Sequence, residues 1–266
     1  MNSQPDQKPA GWKNYEDFAA GIATNRLAST GELVGRPFKI TLKNGRPLNF
    51  MCTEKHALIL TDREPGKPEW YEAIVVAPDV YFLDMTFSVC PTEAMTFVIN
   101  VNTRRVLGIR SIVREPGTYH AEPRVAQEFS PGILGDVALP PTGPEPAPTR
   151  DLIGLRSLYT YSPAHVYEHI YLSSQRYAWQ CLVGVQRGHG DVDLATTYKF
   201  DEGQYVFAFR EFIIPVASVF FYSFADMRST GKFIGVTAAG EIENNPAGAF
   251  IQKASMTFYP KGAEPV

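Results

Sequence analysis

The stretch from Ala164 to Leu172 contains His165, Glu168 and His169 in an H-x-x-E-H pattern. On a helix, residues four apart share one face, so the two imidazoles could bind one zinc ion, as in a class of zinc peptidases. The residues between them are β-branched or aromatic, and Pro163 precedes the stretch, which favours a strand. In a strand the two histidines stand about 13 Å apart, too far to share one zinc ion. We therefore predict no metal here and expect no cofactor.

The strand interpretation brings a second feature into view, a face that is both polar and aromatic. Because side chains alternate along a strand, His165, Tyr167, His169 and Tyr171 lie on one face. Other stretches of the second half carry aromatic residues at the same spacing, and together they predict a cavity for a small aromatic or hydrophobic ligand. A solid aromatic core fits the same residues. The candidate ligand-binding residues are His165, Tyr167, Tyr171, Trp179, Tyr198, Tyr205, Phe209 and Arg228.

Charged residues within the predicted strands supply the candidate catalytic groups. Arg210 and Glu211 interrupt an apolar run, and alternation with Tyr205 and Phe209 directs Glu211 inward. Apolar surroundings would raise the pKa of the Glu211 carboxyl and suit it, together with His169, to general acid–base work. Arg210 would then stabilise developing negative charge. An ion pair of Arg210 or Glu211 at a barrel rim is the structural alternative.

One further motif resembles a phosphate-binding loop only in part. Residues 228–232 read Arg-Ser-Thr-Gly-Lys and lack the Gly-x-x-x-x-Gly-Lys frame of that loop. We interpret them as a hairpin turn, from which Arg228 reaches the barrel mouth.

The elements that must position these side chains are nearly all strands. Many short strands at regular spacing predict an all-β fold, either a sandwich or a closed up-and-down barrel. Asn14–Leu27 alone has the apolar spacing of a helix. The predicted strands are Phe38–Leu42, Leu48–Cys52, Trp70–Val76, Val80–Phe87, Met95–Val101, Val106–Val113, Val166–Leu172, Tyr177–Val185, Leu194–Phe200, Tyr205–Phe212, Val219–Phe224, Lys232–Thr237 and Phe250–Tyr259.

A proline-rich stretch and an internal repeat divide the chain. Residues 136–150 contain five prolines in fifteen residues, which favours an extended linker. On either side, Glu32-Leu-Val-Gly35 resembles Asp151-Leu-Ile-Gly154, and Arg105-Val-Leu-Gly108 resembles Lys232-Phe-Ile-Gly235. The repeat predicts two copies of one β-domain with the same strand order. We expect an N-terminal segment with a short helix at 1–30, a barrel domain at 31–135, the linker at 136–150 and a second barrel domain at 151–266.

Composition limits the partners and the compartment. The formal net charge is −3, and Lys and Arg are scattered, so we expect neither a nucleic-acid nor a membrane partner. No stretch approaches the ~20 apolar residues of a membrane span, and the polar start does not resemble a signal peptide. Three cysteines without a C-x-x-C pair favour buried thiols and a cytoplasmic location.

Two sets of residues carry a resemblance to a known family. They are Trp70-Tyr71, Val80-Tyr81, Asp84 and Val101–Gly108 in the first half, and Tyr167–Tyr171, Tyr177–Leu182, Tyr198–Phe200, Phe209–Glu211 and Thr230–Gly235 in the second half. Through them most of the chain resembles the MoaF-like family, the first half its N-terminal domain and the second half its C-terminal domain. The resemblance implies two tandem lipocalin-like (calycin) antiparallel β-barrels, a class that also contains cofactor-free phenolic acid decarboxylases. The family name points to molybdenum-cofactor biosynthesis, but nothing in these residues resembles a pterin or molybdate site, and no residue role is carried over.

Two classes of function fit these observations. The first is a cofactor-free lyase or cyclase that dehydrates, decarboxylates or cyclises a small aromatic or phenolic substrate by general acid–base chemistry in the C-terminal barrel. The second is a lipocalin-like carrier that binds the same ligand without chemistry. Ionisable groups in the strands of the second half favour the enzyme. The first half is then structural or an assembly surface, which is compatible with a homodimer.

Overall fold

The computed structural model describes residues 8–43, 45, 47–61, 67–119 and 121–266. Nearly all of the regular structure is antiparallel sheet, and it forms two barrels that each close on themselves. The all-β prediction is therefore confirmed. Each barrel is an up-and-down meander of eight strands, the architecture of the lipocalins.

The first barrel closes where its first strand pairs with its last, with Ile40 opposite Leu134. Its interior is apolar and includes Phe50, Leu83 and Phe97, all without solvent exposure. Side chains thus fill this barrel in the manner of small closed barrels. Its strands are β1 (Pro37–Leu42), β2 (Leu48–Glu54), β3 (Ala57–Leu60), β4 (Glu69–Ala77), β5 (Val80–Phe87), β6 (Cys90–Asn100), β7 (Arg105–Val113) and β8 (Val125–Leu134).

The second barrel follows a two-residue strand, β9 (Ala147–Pro148), which pairs with the second barrel near Tyr198. As in the first barrel, the first strand pairs with the last, with Tyr159 opposite Ile251, and every pair of consecutive strands is also hydrogen-bonded. Its interior is far more aromatic than that of the first barrel. Its strands are β10 (Leu155–Ser162), β11 (His165–Tyr171), β12 (Arg176–Val183), β13 (Gly190–Asp201), β14 (Gln204–Arg210), β15 (Val216–Ser223), β16 (Arg228–Val236) and β17 (Ile242–Met256).

The two barrels repeat one another in detail. Both run through their eight strands in chain order before closing, as the sequence repeat predicts. At the start of each copy, a carboxylate accepts a hydrogen bond from a tyrosine near the start of the fifth strand: Tyr81 donates to Glu32 at 2.8 Å, and Tyr205 donates to Asp151 at 3.0 Å. The repeat therefore preserves a tertiary contact as well as a strand order.

The barrels pack side by side through an apolar interface. Ile74, Phe82 and Leu107 of the first barrel form one buried cluster with Val206 and Phe221 of the second. These side chains point away from their own barrel interiors, which explains why β5 and β15 are buried along both faces.

A buried ion pair crosses the same interface. Lys232 of β16, 2% exposed, pairs with Asp84 of β5, 5% exposed. Thr96 and Asn244 donate further hydrogen bonds to the Asp84 carboxylate at 2.9 and 2.6 Å. The carboxylate is thereby satisfied from both barrels, as a buried charge requires.

The N-terminal helix is shorter than predicted. Only α1 (Tyr15–Ala19) is helical, and the segment continues as turns through Gly21, whose φ is +91°. Tyr15, Phe18 and Ile22 are nevertheless all buried in the aromatic core of the second barrel. Their spacing reflects contact with that barrel and not a continuous helix. None of the described helical residues form a helix long and apolar enough to cross a membrane.

One turn prediction was wrong. Residues 228–232 lie in β16, and the turn precedes them at 224–227, where Met227 has a φ of +51°. Thr230 and Lys232 occupy that strand because they are buried against the first barrel, a contact that local propensity does not reveal. The strands β3, β8 and β10 were also not predicted.

Candidate functional site

A small cavity of about 30 Å³ lies inside the second barrel, room for one or two water molecules. Six aromatic side chains supply most of its wall, and His169, Gln186 and Glu211 supply its polar groups. The aromatic residues from the barrel strands are Tyr161, Tyr167, Tyr177, Trp179, Phe209 and Phe233. The interior therefore combines the two alternatives drawn from the sequence: it is a tightly packed aromatic core, and it retains a small, mainly aromatic cavity.

Glu211 is the acidic group in the cavity wall. It directly follows β14, and its backbone N–H donates to Val216 at 3.0 Å, so the strand register persists and the side chain faces inward. Among the described residues its carboxyl group has no hydrogen-bond or ion-pair partner, and the residue is 7% exposed. Burial, reinforced by the negative charges of Asp193 and Asp191, raises the pKa of Glu211 well above its ordinary value. Burial therefore favours the protonated form of this carboxyl group.

Asp193 is a second buried carboxyl group, which the sequence analysis did not single out. It is 1% exposed and accepts hydrogen bonds from Trp179 Nε1 at 2.8 Å and from the Phe212 backbone N–H at 3.1 Å. Burial outweighs these two bonds and raises the pKa of Asp193 to about 7. The only signal in the sequence is its inward register on β13, which period-2 alternation could have found.

His169 lies in the wall as predicted and is buried among aromatic rings. Its ring centroid is 4.3 Å from that of Tyr159 and 5.1 Å from that of Tyr177. Burial lowers the pKa of His169 to about 3, so the imidazole is neutral at physiological pH. Its Nδ1 atom is buried without a hydrogen-bond partner among the described residues.

The tyrosines of the barrel divide into two groups. The hydroxyls of Tyr159, Tyr171 and Tyr222 bond one another, with oxygen separations of 2.6 and 3.2 Å. Tyr171 therefore contributes to a buried hydroxyl network and not to the cavity wall. Tyr167, by contrast, lines the cavity and donates to Gln186 at 2.8 Å.

Several predicted site residues lie away from the cavity. Arg210 points outward, where it bonds Gln127 and Thr196, and burial there lowers its pKa to about 10. Tyr198 stacks on Phe129 of the first barrel at 5.4 Å. The rim ion pair proposed for Arg210 or Glu211 does not form among the described residues.

Three further predicted residues lie at the edges of the barrel. His165 Nδ1 bonds Ser162 Oγ at 2.9 Å, and its ring packs against Gly21. The Tyr205 hydroxyl donates to Asp151. Arg228 donates to the Asn25 carbonyl at 2.7 Å and lies over the Phe250 ring at 4.1 Å.

The N-terminal segment completes the cavity wall. Phe18 and Ile22 line the cavity, and Tyr15 packs beside them and donates from its hydroxyl to the Phe233 carbonyl at 3.2 Å. Trp12 stacks on His189 with ring centroids 5.3 Å apart. The segment therefore covers the mouth of the second barrel, although it precedes the first barrel in the chain.

The H-x-x-E-H stretch lies in a strand, as predicted. His165 and His169 belong to β11, and Glu168 of the same strand pairs instead with Arg156 and accepts a bond from Gln180. Within the part of the chain that the structure describes, no group of three or more His, Cys, Asp and Glu side chains is placed to hold a metal ion.

Comparisons with known proteins cover both halves of the chain. The family model for the MoaF N-terminal domain matches residues 10–115, and that for the MoaF C-terminal domain matches residues 146–257. Protein MoaF of Klebsiella aerogenes is 31% identical over 245 residues, which cover 88% of this chain and 90% of that protein. A solved structure from Burkholderia vietnamiensis, provisionally described as a beta-lactamase, is 13% identical over 39% of this chain and 95% of its own, with a TM-score of 0.34.

Proposed function

The chain belongs to the MoaF family, and from that premise we propose that its C-terminal barrel is a cofactor-free lyase or cyclase acting on a small aromatic substrate. One observation carries the proposal: a buried, unpartnered carboxyl group faces an aromatic cavity, with a second buried carboxyl group, Asp193, close enough to raise its pKa. Carboxyl pairs whose environments shift their pKa values are typical of acid–base sites.

Glu211 is the proton donor in this proposal. Its protonated carboxyl group gives a proton to a leaving hydroxyl as the carbon–oxygen bond breaks and water departs. The resulting carboxylate then takes a proton from the neighbouring position of the substrate, so that the group ends the cycle as it began. Asp193 tunes this exchange, because its own charge state changes near neutral pH.

The remaining wall residues hold the substrate. Tyr167, Trp179 and Phe209 offer ring faces and edges against which an aromatic substrate can pack. Because the His169 imidazole is neutral, we assign it a hydrogen bond to the substrate through a ring nitrogen. We do not assign it the role of proton donor. Arg210 has no part in the reaction, because its guanidinium lies outside the barrel.

The proposal predicts that Glu211→Gln loses turnover without losing the fold. Purified protein is incubated with a panel of phenolic alcohols, acids and amines, and mass spectrometry detects loss of water or carbon dioxide, or cyclisation. The variant should be slower by roughly 10²–10⁴-fold, the usual contribution of general acid–base catalysis. Glu202→Gln, an exposed glutamate of the same barrel, is the matched control and should retain full turnover. Equal turnover in both variants would remove Glu211 from the mechanism.

A carrier is the second candidate, and one observation favours it. His169 is held neutral and the cavity is tightly closed by aromatic packing, as suits retention of a ligand. A carrier would return every member of the panel unchanged while its melting temperature rises with ligand concentration. Ligand-dependent stabilisation without turnover in the wild-type protein would decide for the carrier.

A further inference from the structure

The wall of the cavity in the second barrel carries a carboxyl group and, among the described residues, no cationic side chain. Glu211 lines it directly, and Asp193 lies behind Trp179, whose indole N–H it binds. None of the described residues that line it is Lys or Arg, and Arg210, the nearest arginine in sequence, points outward. The neutral His169 adds no positive charge. Any charged ligand that enters meets an environment complementary to a cation.

Aromatic rings share the cavity wall with Glu211. Tyr167 and Trp179 have ring centroids 6.1 Å apart, and Tyr177 and Phe209 have centroids 5.0 Å apart. All four rings line the same cavity as Glu211. A cation within about 6 Å of an aromatic centroid is attracted by the negative face of the ring, and such cages recognise organic ammonium groups.

We propose that the ligand of the C-terminal barrel carries an organic ammonium group, which the aromatic cage holds against the Glu211 carboxylate. This inference rests on the proposed function in using the same cavity, and it specifies the substrate class as a small aromatic amine. An anionic ligand, such as a phenolic acid, would place a buried negative charge beside the Glu211 and Asp193 carboxyl groups without a counter-ion.

Proton linkage supports the assignment. Burial raises the pKa of Glu211 in the free protein, so an ammonium group that binds there displaces a proton and stabilises the carboxylate. Affinity for the cation should therefore rise as pH increases, while affinity for a neutral ligand should not. The titratable groups near Glu211 lie on four strands: Tyr161 of β10, Tyr167 and His169 of β11, Tyr177 of β12, and Asp191 and Asp193 of β13.

Calorimetric titration of the full chain with three charge states of one ring tests the proposal. Benzylamine, benzyl alcohol and benzoate share a ring and differ in charge. At neutral pH benzylammonium should bind about 10-fold more tightly than benzyl alcohol, with benzoate weakest, as expected from cation–π and carboxylate contacts. Glu211→Gln should remove that 10-fold preference and leave benzyl alcohol unchanged, and Glu202→Gln should change neither.

The outcomes separate this inference from the proposed function. Equal or tighter binding of benzyl alcohol or benzoate would overturn the ammonium assignment and leave an aromatic site intact. Absence of binding by all three compounds would overturn both. Circular dichroism shows whether Glu211→Gln is folded. If Glu211→Gln does not fold, Asp193→Asn is the second variant, and it should weaken the preference for benzylammonium.

Discussion

Glu211 and its neighbour Arg210 show how strand alternation assigns chemistry at the scale of single residues. The two side chains occupy opposite faces, so Glu211 enters the aromatic interior while Arg210 bonds Gln127 of the first barrel. Burial acts against the charged form of each, and the pKa of Glu211 rises while that of Arg210 falls to about 10. Two adjacent residues thus have different surroundings: Glu211 lies in the barrel interior, and Arg210 lies at the interface between the barrels.

The buried carboxyl groups predict a specific dependence of stability on pH. The pKa of Asp193 is raised from 3.8 to about 7 in the folded protein, so the folded state binds a proton that the unfolded state releases. Stability from this group is fully present below about pH 4 and is lost as pH rises through about 7. Asp193→Asn should flatten this part of the curve, by a few kcal/mol at most, since about 1.4 kcal/mol corresponds to each pKa unit.

Chemical denaturation across this pH range provides the measurement. Glu202→Gln is the matched control, because Glu202 is an exposed carboxyl group of the same barrel. That variant should retain the wild-type dependence on pH. An unchanged slope in Asp193→Asn would show that Asp193 is not the group responsible.

The sequence predicted part of the site residue by residue. Alternation along β11 and β14 placed Tyr167, His169, Phe209 and Glu211 on inward faces, and all four line the cavity. Alternation alone could not distinguish a residue of the cavity wall from one deeper in the core. Tyr171 is an example, because its depth depends on partners on other strands. Depth within a barrel is a property of the closed sheet, not of one strand.

At the scale of elements, the N-terminal segment covers the mouth of the second barrel. It is held at its far end by Asn25, whose N–H donates to Tyr161 at 3.0 Å and whose side chain donates to Thr160 at 2.9 Å. Its apolar side chains fill the barrel mouth above the cavity. Because the cavity holds only about 30 Å³, a ring-sized ligand requires these side chains to move.

Phe18→Leu is therefore expected to admit ring ligands more readily. The smaller side chain leaves space at the cavity wall, so the affinity for benzyl alcohol should rise, by about 3-fold to 10-fold, while stability falls by roughly 1–3 kcal/mol. Calorimetry and thermal melts measure the two effects. Phe50→Leu makes the same change in the core of the first barrel and should lower stability without changing affinity. Equal affinities in both variants would contradict a gating role.

Element prediction succeeded where strands alternate and failed where tertiary contact decides. β5 was predicted with its observed limits, and β11 within one residue at each end. The N-terminal helix was predicted too long because Tyr15, Phe18 and Ile22 share a face through packing on a neighbouring barrel. β8 was missed because Pro131 and Gly132 break its pattern, although both pair with β7.

At the scale of the whole molecule, the structure explains why two copies of one barrel differ in chemistry. The first interior is apolar and filled, whereas the second contains Glu211, Asp193 and His169. Polar groups of the first barrel face the interface instead, where Asp84 meets Lys232. The sequence repeat predicted both barrels, but no pattern within either half could show how they dock.

The Asp84–Lys232 pair should specify the docking of the barrels. Asp84→Asn leaves the Lys232 ammonium buried without a counter-ion, and Lys232 already has a pKa lowered by burial. We expect a loss of about 3–5 kcal/mol in the free energy of unfolding, the usual result of breaking a buried pair. The double variant Asp84→Leu, Lys232→Met should recover much of that loss, since apolar replacement removes the uncompensated charge.

The exposed pair Lys43–Glu145 also joins distant parts of the chain and is the matched control. Lys43→Met should cost less than about 1 kcal/mol, because solvent already screens that pair. Urea denaturation measures these differences in five proteins. They are the wild type, Asp84→Asn, Lys232→Met, the double variant and Lys43→Met. If Asp84→Asn cost no more than Lys43→Met, the buried pair would contribute nothing to docking, and the apolar cluster around Phe82 and Phe221 would hold the barrels together unaided.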